Sequence, residues 1–407
     1  MTAQRVFLVG VFAASFFGLT SLAQAQTPIR IGASLSTTGV YAALGQSQLR
    51  GYQMCIKRAN DKGGMLGRPL QLIVQDDGSD PKAAVRIYES LVTQKHVDAI
   101  LGPYASNISD AVADVSEKYR KPMVASLASA TGIFTKGRNF VFMLQSPAEV
   151  FLEGLIDVAV KRGLKTVAVI GEDTLFPRTA AQGAVELAKR RGLSVVLHEP
   201  YPQMTTDFRA LLARVKAANP DLLAAATYFD DAVAITRQLR ELDVNPRMFG
   251  VTVGADLPRF YETLGKTAEY VYGSTQWVPE LVSIRAGGVV PVAREYPGAK
   301  EFVDAYRKEF PGSDPSYQAA GGYGGCEVLL EAIRRAGSLD SEQVRAAITR
   351  LDFNTVFGPF RVDAGGVQTA HKALIIQWQD GKKVIVWPLA LASDQPRAPT
   401  PPWSQRK

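Results

Sequence analysis

His96, His198 and His371 are the only histidines in 407 residues, and they stand far apart. No C-x-x-C, H-E-x-x-H or G-x-S-x-G accompanies them. The spacings that build redox dithiols, zinc sites or nucleophile elbows are therefore missing, and each histidine reads as a surface or strand-end residue. Gly321 to Gly325 (Gly-Gly-Tyr-Gly-Gly) resembles a phosphate loop at first sight. No Lys-Ser/Thr follows it, Glu327 stands where a dinucleotide fingerprint needs its last glycine, and no strand precedes it. It reads instead as the first turns of a closely packed helix. Asp76 and Asp77, adjacent at a strand end, are expected to cap and shape a turn rather than hold a metal. The residues require neither a cofactor nor a metal, and no nucleophile–base–orienter set argues for an enzyme.

Binding needs less machinery than catalysis. Gly102 to Ser106 follows an apolar run and opens an amphipathic one. A helix N-terminus there offers unpaired N–H groups and a positive dipole end to an anion. Ser106 is thus a candidate anion ligand, with a plain helix N-cap as the alternative. Ala125 to Thr131 is a string of Ala, Ser, Leu and Thr. Small residues there let the backbone approach a ligand, and an ordinary Ser/Thr-rich loop is the alternative.

Those residues need strands and helices to hold them. Short apolar runs alternate with longer amphipathic segments from residue 29 onward. The pattern predicts strands at 29–35, 70–75, 97–101 and 121–125, and helices at 42–61, from Pro81, and at 106–119. After residue 146 the rhythm resumes. Helices are expected at 147–162, 177–191, 207–217 and 231–242, with strands at 167–171, 194–198, 222–226 and 248–251. Such alternation implies parallel sheets with right-handed crossovers. The fold class is α/β, with two doubly wound lobes in which ligands sit beyond the carboxyl ends of strands. Residues 278–297 read as a loop, followed by helices near 298–309, 316–336 and 341–350. Strands are expected at 357–362, 373–379 and 383–387, with Asp380-Gly381 as a hairpin turn. The polar, Pro-rich end, 394–407, is expected to be loose.

Bulk properties bound the rest. Arg5, the apolar run Val6–Leu19 and Ala23-Gln24-Ala25 form a secretory signal pattern, with cleavage expected after Ala25. Removing it leaves 382 residues, enough for about two domains. The net charge of +7 falls to +6 and is spread along the chain, whereas nucleic acid would need a clustered basic stripe. Secretion permits a disulfide between Cys55 and Cys326. Each lies in an apolar helical pattern, so two buried free thiols are the favoured reading.

Ordered pieces of the chain resemble the leucine/branched-chain amino-acid-binding family of periplasmic solute-binding proteins, which serve ATP-driven (ABC) importers. They are the run 31–39, Gly45, Gly51, and the segments 59–70, 76–84, 101–106, 206–212 and 218–221. The resemblance covers nearly all of residues 28–390. It implies a type I periplasmic binding fold, with two lobes joined by a three-strand hinge and a ligand buried between them. The implied lobes are 27–145 with 276–355, and 146–272 with 357–390. It also implies a monomer in the periplasm and a membrane permease as partner.

Carried over by position, the resemblance puts Ser106 where the family's serine holds a ligand carboxylate. Ala128 and Ala130 fall where a backbone group and a threonine do the same, with Ser129 or Thr131 as possible substitutes for the missing threonine. Leu44 and Phe176 replace pocket tyrosines, and Tyr228 matches a pocket aromatic. Thr252 occupies the place of the acid that pairs with an amino acid's ammonium. A buried ammonium lacking a carboxylate is costly. Unless Asp230, Asp231 or Asp256 moves in, an aromatic or aliphatic acid suits the site better than an α-amino acid. A sensory module that reports occupancy to a signalling partner is the alternative function.

Overall fold

The computed structural model describes residues 27–284 and 292–406. The signal pattern at 1–25 and part of the 278–297 loop lie outside them. In chain order the first part runs β1 (Ile29–Leu35), α1 (Ala42–Asp61), β2 (Leu70–Asp76), α2 (Pro81–Thr93), β3 (Ala99–Leu101), α3 (Ser106–Lys118), β4 (Met123–Ala125) and β5 (Val141–Met143). The second part runs α4 (Glu153–Lys161), β6 (Thr166–Glu172), α5 (Leu175–Arg190), β7 (Ser194–Tyr201), α6 (Arg209–Ala218), β8 (Leu222–Ala226), α7 (Phe229–Glu241), β9 (Met248–Val251), α8 (Pro258–Leu264) and β10 (Tyr272–Thr275). Then follow α9 (Val292–Glu295), α10 (Ala299–Glu309), α11 (Tyr317–Ala336), α12 (Ser341–Ile348), β11 (Phe353–Thr355), β12 (Gly358–Phe360), β13 (Leu374–Gln379) and β14 (Lys382–Trp387).

Two sheets divide these strands. One has the order β2-β1-β3-β4-β5, parallel throughout. The other has the order β14-β13-β10-β9-β8-β6-β7. Its strands β10, β9, β8, β6 and β7 are parallel, and β13–β14 adds an antiparallel hairpin beside β10. The hairpin turns on Asp380 and Gly381, both at positive φ, as the Asp-Gly pair demands. Within each lobe the parallel strands repeat one order. The first two are paired, and the third lies on the far side of the first. That reversal creates a switch point between β1 and β3, and another between β6 and β8, where a crevice opens at the strand ends.

The chain passes between lobes three times, at 144–147, 276–278 and 369–373. Side chains tie the crossings together. Ser146 donates from its N–H and its Oγ to Gln276 Oε1 at 2.9 and 3.0 Å. His371 Nε2 meets the Gln276 carbonyl at 3.1 Å, and Gln368 Nε2 donates to the Leu144 carbonyl at 2.9 Å. His371 is buried here rather than at the surface, and burial holds its imidazole near pKa 4, hence neutral.

The structure corrects several expectations. Residues 357–368 were expected in the second lobe but stay on the first. β12 pairs with β11 as a two-stranded ribbon, the Gly366 carbonyl accepts from Met143 N–H at 2.8 Å, and Val356 N–H donates to Glu327 at 2.9 Å. Cys55 and Cys326 are not free thiols; they form a disulfide between α1 and α11. Glycines bring these helices into backbone contact. A Cβ on Gly51 would lie 2.1 Å from the Ala319 carbonyl, and one on Gly322 would lie 2.4 Å from that of Gln48. At this crossing the two cysteine Cα atoms stand 6.3 Å apart, within disulfide reach. The glycine run 321–325 is accordingly the buried, closely packed start of α11. The C-terminal stretch is not loose. Thr400 N–H donates to the Arg247 carbonyl, and Trp403 donates from its N–H and its indole to Asn245 and Val244. Asp76 and Asp77 shape turns as expected, accepting from Thr38, Gly78 and Ser79, and from Ser34 and Ser36.

Candidate functional site

The loop after β3 is pinned before it reaches the cleft. Gln48 Nε2 and the Tyr52 hydroxyl both donate to the Gly102 carbonyl, at 3.0 and 2.8 Å. A parallel bridge joins Tyr104 to Leu127 of the loop after β4. Between them Ala105 adopts φ 74°, ψ 148°, a region normally left to glycine and costing about 1–3 kcal/mol. The strained turn starts α3 at Ser106 and brings its first N–H groups to the cleft. Ser106 Oγ accepts from the N–H groups of Ser129 and Ala130, at 3.1 and 3.4 Å. The two segments singled out in the sequence therefore meet. Ser129 Oγ is buried there with no hydrogen-bond partner, a costly arrangement for a hydroxyl.

Other expected residues play different parts. Ala128 and Ala130 are buried and contribute only backbone. Thr131 turns away from the cleft centre, and its hydroxyl donates to Glu149 at the start of the second lobe. Thr252 is engaged within its own sheet. Its hydroxyl donates to the Thr227 carbonyl and accepts from the Thr227 N–H, each at 2.8 Å. Leu44 lines the mouth of the cleft rather than its floor. Phe176 and Tyr228 do face the floor, with ring centroids 5.9 Å apart, and Phe151 buttresses Phe176 edge-on at 5.0 Å.

The lobes are closed on one another. Tyr41 of the first lobe packs on Tyr228 of the second with centroids 5.1 Å apart, and its hydroxyl accepts from Gln203 at 3.0 Å. Tyr41 also meets Tyr104 edge-on at 5.7 Å. This aromatic collar separates two spaces. The inner one, beside Ser106, Ser129, Gln145 and Phe176, measures about 10 Å³, the size of a single water. The outer one measures about 310 Å³ and is walled by Tyr41, Leu44, Glu172, Tyr228, Asp231 and Arg259, among others. Anything larger than water can reach the Ser106 end only if the collar rings or the lobes move.

Sequence reasoning passed over Tyr41, Tyr104, Gln145, Glu172 and Tyr317, all of which border one of these spaces. Position after a strand would have marked Glu172, which ends β6 at the second switch point. It is buried, and burial raises its carboxyl above the ordinary value despite the Thr174 hydroxyl bond at 2.6 Å. Asp231 is pushed up to about 8 by burial, against the Tyr201 hydroxyl that donates to it. Asp256 is raised to about 6 by burial, with Lys383 pulling it back. Among the described residues, no group of three or more His, Cys, Asp or Glu could hold a metal ion, and no helix is long and apolar enough to cross a membrane.

Comparison with known proteins agrees with this architecture. A family model described as "Periplasmic binding protein" matches residues 28–383. The chain is 27% identical over 398 residues to the Leu/Ile/Val-binding protein homolog 7 of Brucella melitensis, covering 94% of this chain and 96% of that one. Among solved structures it is similar to the leucine binding protein LivK of Thermotoga maritima, with TM-score 0.77, 25% identity, and coverage of 88% of this chain and 97% of that one. It also shares its fold with LivJ of Streptococcus pneumoniae, a branched-chain amino acid transporter substrate binding protein solved in complex with isoleucine. There the TM-score is 0.77 at 23% identity, covering 88% and 98% of the two chains.

Proposed function

The chain belongs to the periplasmic binding protein family, and from that premise we propose that it is the extracytoplasmic solute-binding component of an ATP-driven importer. Its cargo is a small carboxylate-bearing molecule, held between the lobes and delivered to a membrane permease. The names of its relatives, a leucine binding protein and Leu/Ile/Val-binding homologues, support a small organic ligand of this size. A binding protein of this kind carries its ligand and does not transform it.

The observation that carries the reading is the meeting of Ser106 with the 129–130 backbone, beside a buried Ser129 hydroxyl that lacks a partner. A carboxylate placed there would accept from the Ser129 hydroxyl, from the start of α3 and from the Ser106 hydroxyl. Charge-assisted bonds of this type are roughly twice as strong as neutral ones. Phe176, Tyr228 and Tyr41 would then cover the ligand and exclude water as the lobes close. An α-ammonium near Thr252 would meet, in place of a carboxylate, a neutral hydroxyl already engaged with the N–H and the carbonyl of Thr227. Aliphatic or aromatic acids fit better than leucine-like amino acids.

Thermal-shift screening of the secreted chain tests this. Matched sets of carboxylates, their primary amides and α-amino acids would be compared. A ligand at about a hundred times its Kd stabilises by about 2.7 kcal/mol. Carboxylates should raise Tm and their amides should not. A response to the amides equal to that of the acids would refute the carboxylate seat.

A further inference from the structure

The outer chamber is larger than covering a carboxylate requires, and its walls are chemically unlike the inner end. Glu172, Asp230 and Asp231 border it, with Arg259 as the basic residue among its lining. Arg259 lies over the Phe229 ring at 4.9 Å and, among the described residues, pairs with no carboxylate. Glu172 is the telling side chain. It is only 5% exposed, its Oε1 takes the Thr174 hydroxyl, and no donor among the described residues reaches its Oε2, though the residue borders the chamber. A buried carboxylate served by one hydroxyl is far short of its hydrogen-bonding capacity. Its place at the end of β6, across the switch point from Tyr228, aims that deficit at the cleft.

The chamber is also continuous with the inner end through shared residues. Tyr228 borders both spaces, and Tyr41 packs against Tyr228 and against Tyr104 of the inner one. A ligand whose chain passes between these rings would present its two ends to two different environments. One is rich in N–H and O–H donors; the other is acidic.

Resting on the carboxylate reading above, we infer that the outer chamber is a second subsite of the same cleft, which takes a cationic group at the far end of the carboxylate ligand, with Glu172 as the residue that selects it. The ligand class is an elongated acid ending in an ammonium or guanidinium, with a slender aliphatic chain between. Tyr41 and Tyr228 flank that chain and can also face the cation with their ring surfaces. The raised carboxyls of Glu172 and Asp231 agree with this placement, since a cation arriving beside them would favour their ionised forms.

Titration calorimetry on the secreted chain separates the possibilities. The probes are straight-chain ω-amino carboxylates, n-alkanoates of the same length, and diamines of the same length. In the native protein the amino acid of best length should bind at least about ten-fold tighter than its alkanoate, and Glu172→Gln should shrink that gap to about two-fold. The alkanoate's own affinity should hold or rise in the variant, which shows that the cleft is intact. Alkanoates binding as well as their amino partners, or a gap that survives Glu172→Gln, would overturn the subsite and leave the carboxylate seat standing. Diamines binding as well as the amino acids would overturn the carboxylate seat and leave Glu172 as a cation partner. Binding by none of the three series would overturn both.

Discussion

At the end of β3 the first lobe meets the cleft with backbone. A strained Ala105, the first turn of α3 and the N–H groups of Ser129 and Ala130 converge, and the side chains are small. At the equivalent end of β8, and at β6 beside it, the second lobe meets the cleft with side chains: Glu172, Phe176, Tyr228 and Asp231. Strand order is the same on both sides, so topology gives each lobe a crevice without fixing its chemistry. Backbone donors recognise a charge whatever the neighbouring residues are, while large side chains discriminate among bearers of that charge. On the proposed reading, the first lobe sets the class of ligand, and the second lobe sets which member of the class is held.

The contrast extends to stability. The first lobe is cross-linked through α1 and α11, and the described part of the second has no disulfide. Replacing Cys55 and Cys326 together by serine should cost about 2–4 kcal/mol. In scanning calorimetry the loss should fall on the first lobe, as a lower or separate transition. A double variant that melts with the native protein would mean that the glycine-mediated helix contact suffices alone. Next in size is Ser106→Ala, which should weaken carboxylate binding by about 1–3 kcal/mol and, because the buried Ser129 and Ala130 N–H groups lose their acceptor, lower the melting transition of the free protein as well. Unaltered affinity by calorimetry would break the assignment of the anion end to the first lobe.

A third effect concerns the second lobe and pH. Asp231 has its carboxyl raised from 3.8 to about 8 by burial, so the folded form holds a proton that the unfolded chain releases. Stability from this group is full below 3.8 and is lost as pH rises toward about 8. Glu172 acts in the same direction. His371 acts oppositely, since its value falls from 6.5 to about 4 and favours folding as pH rises through that interval. Asp231→Asn should flatten the decline in urea midpoint between about pH 5 and about pH 7.5. An unchanged slope would show that Asp231 is ionised in the folded protein.

Much of the first lobe's contribution could be read directly from residues. An apolar run closed by Gly102-Pro103 and followed by an amphipathic segment marks a strand end feeding a helix. Ser106 at that junction needs no tertiary knowledge. Short strands with distant partners were harder. β5 and β10 are three and four residues long, too short for periodicity, and exist because their sheets pair them. Glu172-Asp173 reads as a surface turn until the order of β6, β7 and β8 is known, since only that order puts it at a crevice. The disulfide was illegible for a related reason. An apolar helical pattern is the same around a thiol and a cystine, and the partners are 271 residues apart. That Thr252 carries no carboxylate is plain in the sequence, but its bond to Thr227 depends on the parallel pairing of β8 and β9.

The most direct test of the carboxylate seat follows the backbone amides of Ser106 and Asn107, in the first turn of α3, by heteronuclear NMR while the best carboxylate from the screen is titrated. These two amide protons should move downfield more than any others, and the matched primary amide should leave them in place. If binding occurs and these resonances stay fixed while those of another region shift, the anion is held elsewhere and the division of labour between the lobes is wrong.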